Sequence, residues 1–241
     1  MTGRPAAVLI AAAACLLANG AAPSVTYSAA GGTIRGRVRL DGAIPGNPII
    51  RMGMDPGCTA ANAGKRRVQE AVVASADGGL ANVFVKLQGS FPQTPVPNQP
   101  VLIDQVGCIY VPRVVGARVG QTLRVRNSDK LLHNVHSQSA KGNTFNVGQP
   151  AAGMTNDFRL TNEEMLHIGC DVHRWMTSFV GIVNHPYFAV SGADGSFTVA
   201  EVPAGTYTIE AWHEKFGTVT QPVRVQPGAA AVVTLTFTQT K

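Results

Sequence analysis

The sequence Cys170-Asp-Val-His173-Arg-Trp-Met176 joins two short apolar segments, residues 165–169 and 179–183. Each segment has the length and apolar content of a β-strand, so the residues between them are predicted to be the tight connection of a β-hairpin. A connection this short can direct a thiolate, an imidazole and a thioether toward one point. The sequence therefore predicts a metal site at one end of a β-structure.

A histidine block lies upstream of this hairpin. Residues 122–126 are predicted to form a strand, and Leu131-Leu-His133-Asn-Val-His136 follows after a polar turn. One histidine of this block would add a fourth ligand; His133 and His136 point to opposite faces of a strand, and His136 is expected to be exposed or hydrogen-bonded. Two imidazoles, a thiolate and a thioether are the ligands of blue-copper electron-transfer sites, whereas structural zinc sites more often use several thiolates and no methionine.

The composition agrees with a folded, β-rich chain. Of the 241 residues 45% are hydrophobic and only 14% are charged, which excludes a disordered chain and a Lys/Glu-rich coiled coil. The formal net charge is +6, but the basic residues are dispersed, so no nucleic-acid partner is expected. A mildly positive surface suits docking to an acidic cytochrome or dehydrogenase, and the alternative is that the charge simply keeps the protein soluble.

The N-terminus predicts export. Residues 1–20 combine one positive charge, a short apolar run and small residues, which is the pattern of a signal peptide. The run is too short to span a bilayer, and no later stretch is apolar enough, so no transmembrane segment is expected in the mature chain. We expect a periplasmic or secreted protein. A lipid anchor at Cys15 is the alternative, although the apolar run continues past that residue.

Segments of alternating polarity predict a second β-structure at the two ends of the chain. Residues 32–42 read as a half-buried strand that ends in an Asp-Gly turn. Near the C-terminus, residues 188–199 and 223–237 each predict a pair of adjacent strands, around Asp194-Gly195 and Pro227-Gly228.

These end segments resemble the carboxypeptidase regulatory-like domain, a small transthyretin-like β-sandwich. The residues that carry the resemblance are 32–38, 77–87, and the Asp-Gly-Ser-Phe and Pro-Ala-Gly-Thr-Tyr sequences within 194–207. The family's first and last blocks normally lie close together, whereas about 150 residues separate them here. We infer a sandwich split into residues 32–97 and 187–239, with a second domain, 98–186, inserted at a loop. One continuous multi-stranded sandwich is the alternative.

The inserted segment resembles the cupredoxin family, most closely the amicyanin type of methylamine-utilisation proteins, whose loop also runs Cys-x2-His-x2-Met. The resemblance implies an all-β molecule, with a cupredoxin-like Greek-key β-sandwich nested in or packed beside the transthyretin-like one. It also implies one type 1 copper. The implied ligands are His133, Cys170, His173 and Met176.

The same resemblance implies roles for two further features. Asn134 would tie the upstream strand to the cysteine loop, and His173 would be partly exposed and pass electrons to a partner. The family's loop has proline before and after this histidine, where the chain has Val172 and Arg174. That difference leaves the partner surface open.

Two other cysteines lie outside the loop. Cys58 is in a turn-rich segment and Cys108 is at the predicted start of a strand. In an oxidising compartment we expect them to form a disulfide that staples the two domains together. Two reduced, buried cysteines, or a second metal site, are the alternatives. The chain has no Cys-x2-Cys-His sequence, which excludes a c-type haem.

The expected function is one-electron transfer by an exported copper protein, with a c-type cytochrome or a dehydrogenase as the redox partner. The alternatives are copper binding and delivery, or a glycan-binding-like interaction module with a vestigial metal site. An enzyme is not expected, because no motif places an acid or amide to orient His173 as a base, and no pair of facing carboxylates is indicated.

Overall fold

The computed structural model describes residues 1–2 and 31–239. Residues 3–20 of the predicted signal peptide, including Cys15, lie outside the described residues. No helix in the described ranges is long and apolar enough to cross a membrane.

The described residues contain one short helix, α1 (Pro56–Ala61), and sixteen strands, so the all-β prediction is confirmed. The strands are β1 (Gly32–Asp41), β2 (Phe84–Gln88), β3 (Val101–Gln105), β4 (Tyr110–Val111), β5 (Val114–Arg118), β6 (Thr122–Asn127), β7 (His133–Gln138), β8 (Asn146–Gln149), β9 (Thr155–Arg159), β10 (Glu164–Gly169), β11 (Thr177–Val183), β12 (Phe188–Val190), β13 (Ser196–Val202), β14 (Gly205–His213), β15 (Gly217–Val225) and β16 (Ala230–Thr238).

The strands form four sheets that enclose two hydrophobic cores. The sheets β13-β1-β16 and β12-β2-β14-β15 enclose the first core, and the sheets β5-β11-β10-β7-β8 and β4-β3-β6-β9 enclose the second. Strands from both ends of the chain therefore build one sandwich, and β3 to β11 build the other. The domain boundaries at residues 97/98 and 186/187 stay a prediction.

Alternating burial explains why the end segments form strands. In β1 the side chains of Ile34, Val38 and Leu40 enter the first core, and in β16 those of Leu235 and Phe237 do so. Successive side chains of a strand point to opposite faces, so such a pattern buries one face only. β1 and β16 pair in parallel from Thr33↔Ala230 to Asp41↔Thr238.

Two predicted strand pairs are wrong. β12 pairs with β2 whereas β13 pairs with β1, and β15 pairs with β14 whereas β16 pairs with β1. The turns at Asp194-Gly195 and Pro227-Gly228 reverse the chain, but each carries it from one sheet of the sandwich to the other. A turn motif determines the reversal, while the burial of apolar faces determines which sheet receives the next strand.

The two sandwiches share an apolar interface. Phe84 of β2 is buried together with Val114 and Val183 of the second sandwich. A Cβ added to Gly181 would lie only 2.5 Å from ring carbons of Phe84. Glycine in β11 therefore permits the close approach of β2.

A segment between β1 and β2 crosses from the first sandwich to the second. We call residues 49–69 the cap segment; a β-bridge between Ile49 and Val68 closes its two ends. α1 lies within it and is capped at its N-terminus by Asp55, whose side chain accepts a hydrogen bond from Cys58 N. A Cβ on Gly57 would lie 2.3 Å from Leu131 Cδ2, so glycine allows the cap to pack closely on this side chain of the second sandwich.

Candidate metal centre

The loop that carries the predicted ligands is the connection of an antiparallel hairpin, as predicted. β10 and β11 pair from Glu164↔Ile182 to Gly169↔Thr177, which leaves residues 170–176 as the connection. The backbone N–H of Met176 donates to His173 O at 2.9 Å and closes the turn. Three donor side chains are thereby confined to one end of the second sandwich.

Three of the predicted ligands converge. His133 opens β7, which pairs with β10, and its Nδ1 lies 3.0 Å from Nδ1 of His173. The same His173 atom lies 4.0 Å from Cys170 Sγ. The three side chains are nearly closed to solvent, with exposures of 0% for His133, 2% for His173 and 5% for Cys170.

Met176 belongs to the same buried cluster as Cys170. Both residues also border a cavity of about 470 Å³ that His167 and Arg174 line as well. Cys170 and Met176 thus lie on the side of the site that faces this cavity, while His173 lies beneath the cap segment.

The Cys170 sulfur is held by backbone donors. It accepts hydrogen bonds from the N–H groups of Asn134 and His173, each at 3.3 Å. Burial raises the pKa of the Cys170 thiol, but hydrogen bonds from His133 and from these backbone groups outweigh burial and leave the pKa below its ordinary value. Asn134 Oδ1 also accepts from Asp171 N at 3.0 Å, which joins the upstream strand to the loop.

A carboxylate holds the outer nitrogen of His133. Asp129 Oδ2 lies 2.8 Å from His133 Nε2. Burial by itself lowers the pKa of His133, but hydrogen bonds to Asp129 and Cys170 outweigh burial and raise the pKa to about 9. Asp129 is itself oriented by the backbone N–H groups of Gly107 and Cys108, at 2.7 and 2.8 Å. Sequence reasoning missed Asp129, although its position four residues before His133 was a usable signal.

His173 is covered, so the expectation of a partly exposed ligand is wrong. Its Nε2 lies 2.9 Å from Asp55 Oδ2 and 3.5 Å from Cys58 Sγ, both in the cap segment. The Trp175 ring lies 5.0 Å from its ring, centroid to centroid. No local motif marked Asp55, because its contact with His173 spans 118 positions of sequence.

Cys58 and Cys108 form a disulfide with a Cα–Cα distance of 5.7 Å. Among the described residues Cys170 is the free cysteine. Two further clusters of metal-ligand type surround the disulfide, Asp55–Cys58–His173 and Cys108–Asp129–His133, but their sulfurs are bonded to each other.

The donor set fits a metal ion. The Nε2 atoms of His133 and His173 face carboxylates, so the Nδ1 atoms of the two rings face inward. Either a proton or a cation must lie between the lone pairs of these two Nδ1 atoms. A nearby thiolate adds negative charge. Imidazole with thiolate and thioether sulfur is a set that suits copper in both oxidation states.

Comparisons with known proteins find one family model that matches part of the chain. The profile of the carboxypeptidase regulatory-like domain matches residues 180–238. No curated protein matches the chain.

Solved structures similar to the chain include copper proteins, all with low TM-scores. A purple cupredoxin from Nitrosopumilus maritimus is 22% identical over 34% of this chain and 98% of its own, with a TM-score of 0.30. A reduced amicyanin variant is 18% identical over 41% of this chain and 97% of its own, with a TM-score of 0.32. A copper-containing nitrite reductase from Thermus scotoductus is 18% identical, covers 39% of this chain and 24% of its own, and has a TM-score of 0.32.

Proposed function

We propose that the protein is an exported type 1 copper protein that transfers single electrons between periplasmic redox partners. The observation that carries the proposal is the convergence of His133 Nδ1, His173 Nδ1 and Cys170 Sγ in a buried site beside Met176. Copper, when bound, supplies the one-electron redox chemistry. The protein's part is to hold the donors and exclude water.

The fixed positions of the donors support electron transfer. His133 lies on a strand paired with β10, and Asn134 links that strand to the cysteine loop. Ligands held in this way change position little between two oxidation states, which lowers the reorganisation that accompanies each electron. Thiolate and thioether suit Cu(I), while two imidazoles keep Cu(II) acceptable.

Apolar side chains near the site support docking of a redox partner. Met54, Leu132 and Val172 are 99%, 49% and 48% exposed, and each is the neighbour in sequence of a residue that lines the site. With His173 covered, we propose that a c-type cytochrome or a dehydrogenase approaches over these side chains. The net charge of +6 favours a partner with an acidic surface.

Copper titration of the mature protein tests the function. We expect one copper per chain, an intense visible absorption band when the copper is oxidised, and reversible one-electron voltammetry. Cys170→Ser is expected to lose the band because the thiolate that produces it is gone, whereas Thr177→Ser, at the start of β11 beside the same loop, keeps it. A colourless Cu(II) complex, or a band that survives Cys170→Ser, would contradict the proposal.

Copper delivery is a second function that one observation favours. The cavity of about 470 Å³ reaches Cys170 and Met176 and gives an incoming ligand a route to their side of the site. A delivery protein would release Cu(I) within minutes to a competing chelator and would lack reversible voltammetry. An electron carrier would retain copper under the same conditions.

A further inference from the structure

The two histidines of the site have the same environment on their outer side. His133 Nε2 lies 2.8 Å from Asp129 Oδ2, and His173 Nε2 lies 2.9 Å from Asp55 Oδ2. The two aspartates come from distant parts of the chain, one from the loop before β7 and the other from the cap segment. Both histidines nevertheless present a carboxylate-bound Nε2 and an inward Nδ1.

The disulfide lies between these two aspartate–histidine pairs. Cys58 N donates to Asp55 Oδ1, and Cys108 N donates to Asp129 Oδ2, each at 2.8 Å. Both cysteines are fully buried. The backbone groups that orient the carboxylates are thus linked covalently across the outer side of the site.

We propose that Asp55 and Asp129 are positioning residues that hold both imidazoles with Nδ1 toward the metal and stabilise Cu(II) relative to Cu(I). The proposal rests on the proposed copper function. A carboxylate that accepts a hydrogen bond from Nε2–H fixes the tautomer in which Nδ1 carries the free lone pair. Its negative charge, one imidazole ring away from the metal, favours the more highly charged oxidation state.

The two aspartates differ in how strongly solvent screens them. The side chain of Asp129 is 10% exposed and that of Asp55 is 31% exposed. Charges that are closed off from water interact more strongly, so Asp129 has the larger effect on the preference for Cu(II). Asp55 has a second effect, because it lies in the segment that closes His173 off from water.

Asparagine and alanine variants separate charge from positioning. Asparagine keeps an oxygen that accepts from Nε2–H but removes the charge, so Asp55→Asn and Asp129→Asn are expected to keep the absorption band and raise the reduction potential. We expect Cu(II) affinity to fall about tenfold relative to Cu(I) affinity in Asp129→Asn, and less in Asp55→Asn. Alanine removes the acceptor as well, so the alanine variants are expected to lose a further tenfold of copper affinity.

Asp157→Asn is the matched control. Asp157 is an exposed carboxylate on β9 that pairs with Arg124 and, among the described residues, hydrogen-bonds to no residue of the site. It should leave the potential and both affinities unchanged. A thiol assay that finds one reactive thiol after denaturation, that of Cys170, verifies the disulfide in every variant.

A copper-free readout separates this proposal from the proposed function. In the metal-free protein, nitrogen-15 NMR of His173 should show the Nε2–H tautomer, and Asp55→Ala should show a mixture. If the wild type binds no copper, the proposed function and the effect on oxidation state both fail. The tautomers of His173 still show whether Asp55 positions that ring. Unchanged tautomers in Asp55→Ala, or potentials in both asparagine variants equal to that of Asp157→Asn, would overturn the proposal.

Discussion

Cys170 is prepared for a metal by groups of the chain itself. The backbone N–H of Asn134 on β7 and that of His173 in the loop point at its sulfur, at 3.3 Å each, and its thiol pKa lies below the ordinary value despite burial. The position of the sulfur is therefore fixed before any ion arrives, and these groups favour its thiolate form. Asn134 extends this support, because its backbone holds the sulfur while its side chain holds the loop.

Met176→Leu tests whether Met176 would be a ligand of the proposed copper site. Leucine is close to methionine in volume, so the buried cluster should lose less than about 1.5 kcal/mol of stability. The variant is expected to keep the visible band, because Cys170 is retained, and to have a higher reduction potential, because a weak donor to Cu(II) has been removed. Voltammetry measures this change. An unchanged potential would exclude Met176 as a ligand.

His213 gives the stability of the protein a pH dependence. The residue is 1% exposed, and its Nε2 finds no hydrogen-bond partner among the described residues. Burial lowers the pKa of His213 to about 4, and the charges of Arg113 and Lys215 lower it as well. In the unfolded chain this histidine takes up a proton near pH 6.5, whereas in the folded chain it does so only near pH 4. The free energy of unfolding should therefore fall by about 3 kcal/mol as the pH is lowered from 6.5 to 4.

Urea unfolding of His213→Phe at pH 7, 5.5 and 4 measures that dependence. Phenylalanine keeps a ring against Phe216, whose ring centroid lies 4.8 Å from that of His213, and cannot be protonated. The loss of stability on acidification should therefore be smaller in the variant than in the wild type. Equal losses would show that other groups are responsible.

The cap segment is the element that distinguishes the outer side of this site. Its helix α1 is too short to be stable alone. Contacts that attach the segment to the second sandwich include the disulfide to Cys108, the packing of Gly57 on Leu131, and the hydrogen bond from Gln69 Nε2 to Trp175 O at 3.0 Å. These contacts keep Asp55 against His173 and exclude water from its imidazole.

A pair of glycines in β5 and β11 sets the distance between the sandwiches. Gly116 and Gly181 are partners in the parallel register, and a Cβ on either would meet phenylalanine rings of the first sandwich. Gly181→Ala is expected to displace Phe84 and lower the free energy of unfolding by about 1–3 kcal/mol. Thermal and urea unfolding measure the loss.

Gly148→Ala in β8 is the control for this effect. A Cβ at that position meets no heavy atom of the described residues within 4 Å. The substitution should change stability by less than about 0.5 kcal/mol, as for most surface positions. Equal effects at both glycines would contradict a role in the spacing of the sandwiches.

At the scale of the whole molecule, the described residues form two sandwiches joined by apolar and ionic contacts. The apolar contact centres on Phe84, and beside it Arg113 of the second sandwich forms a bidentate ion pair with Glu214 of the first. The two side chains are 12% and 11% exposed. A pair this buried loses much of its stabilisation if one partner is removed, because the other charge stays out of water.

Glu214→Ala is expected to lower the free energy of unfolding by about 3 kcal/mol, since it leaves the Arg113 guanidinium without its partner. Calorimetry should show a lower Tm and a separation of one unfolding transition into two, as each core unfolds by itself. Asp157→Asn, which removes an exposed ion pair, should cost less than about 1 kcal/mol. A single transition at the wild-type Tm in Glu214→Ala would show that the apolar contact alone joins the sandwiches.

The sequence by itself determined the features that depend on neighbours along the chain. The residues of the loop at 170–176, the histidine block on β7, the turns and the alternation in β1 and β16 all lie within short stretches, so their spacing was enough to predict a hairpin, a metal site and an all-β molecule. Only the tertiary structure decided which sheet each strand after a turn joins, that His173 is covered, and that Asp55 faces it across 118 positions. Those features follow from the burial of apolar faces and the closure of long loops, which no local pattern records.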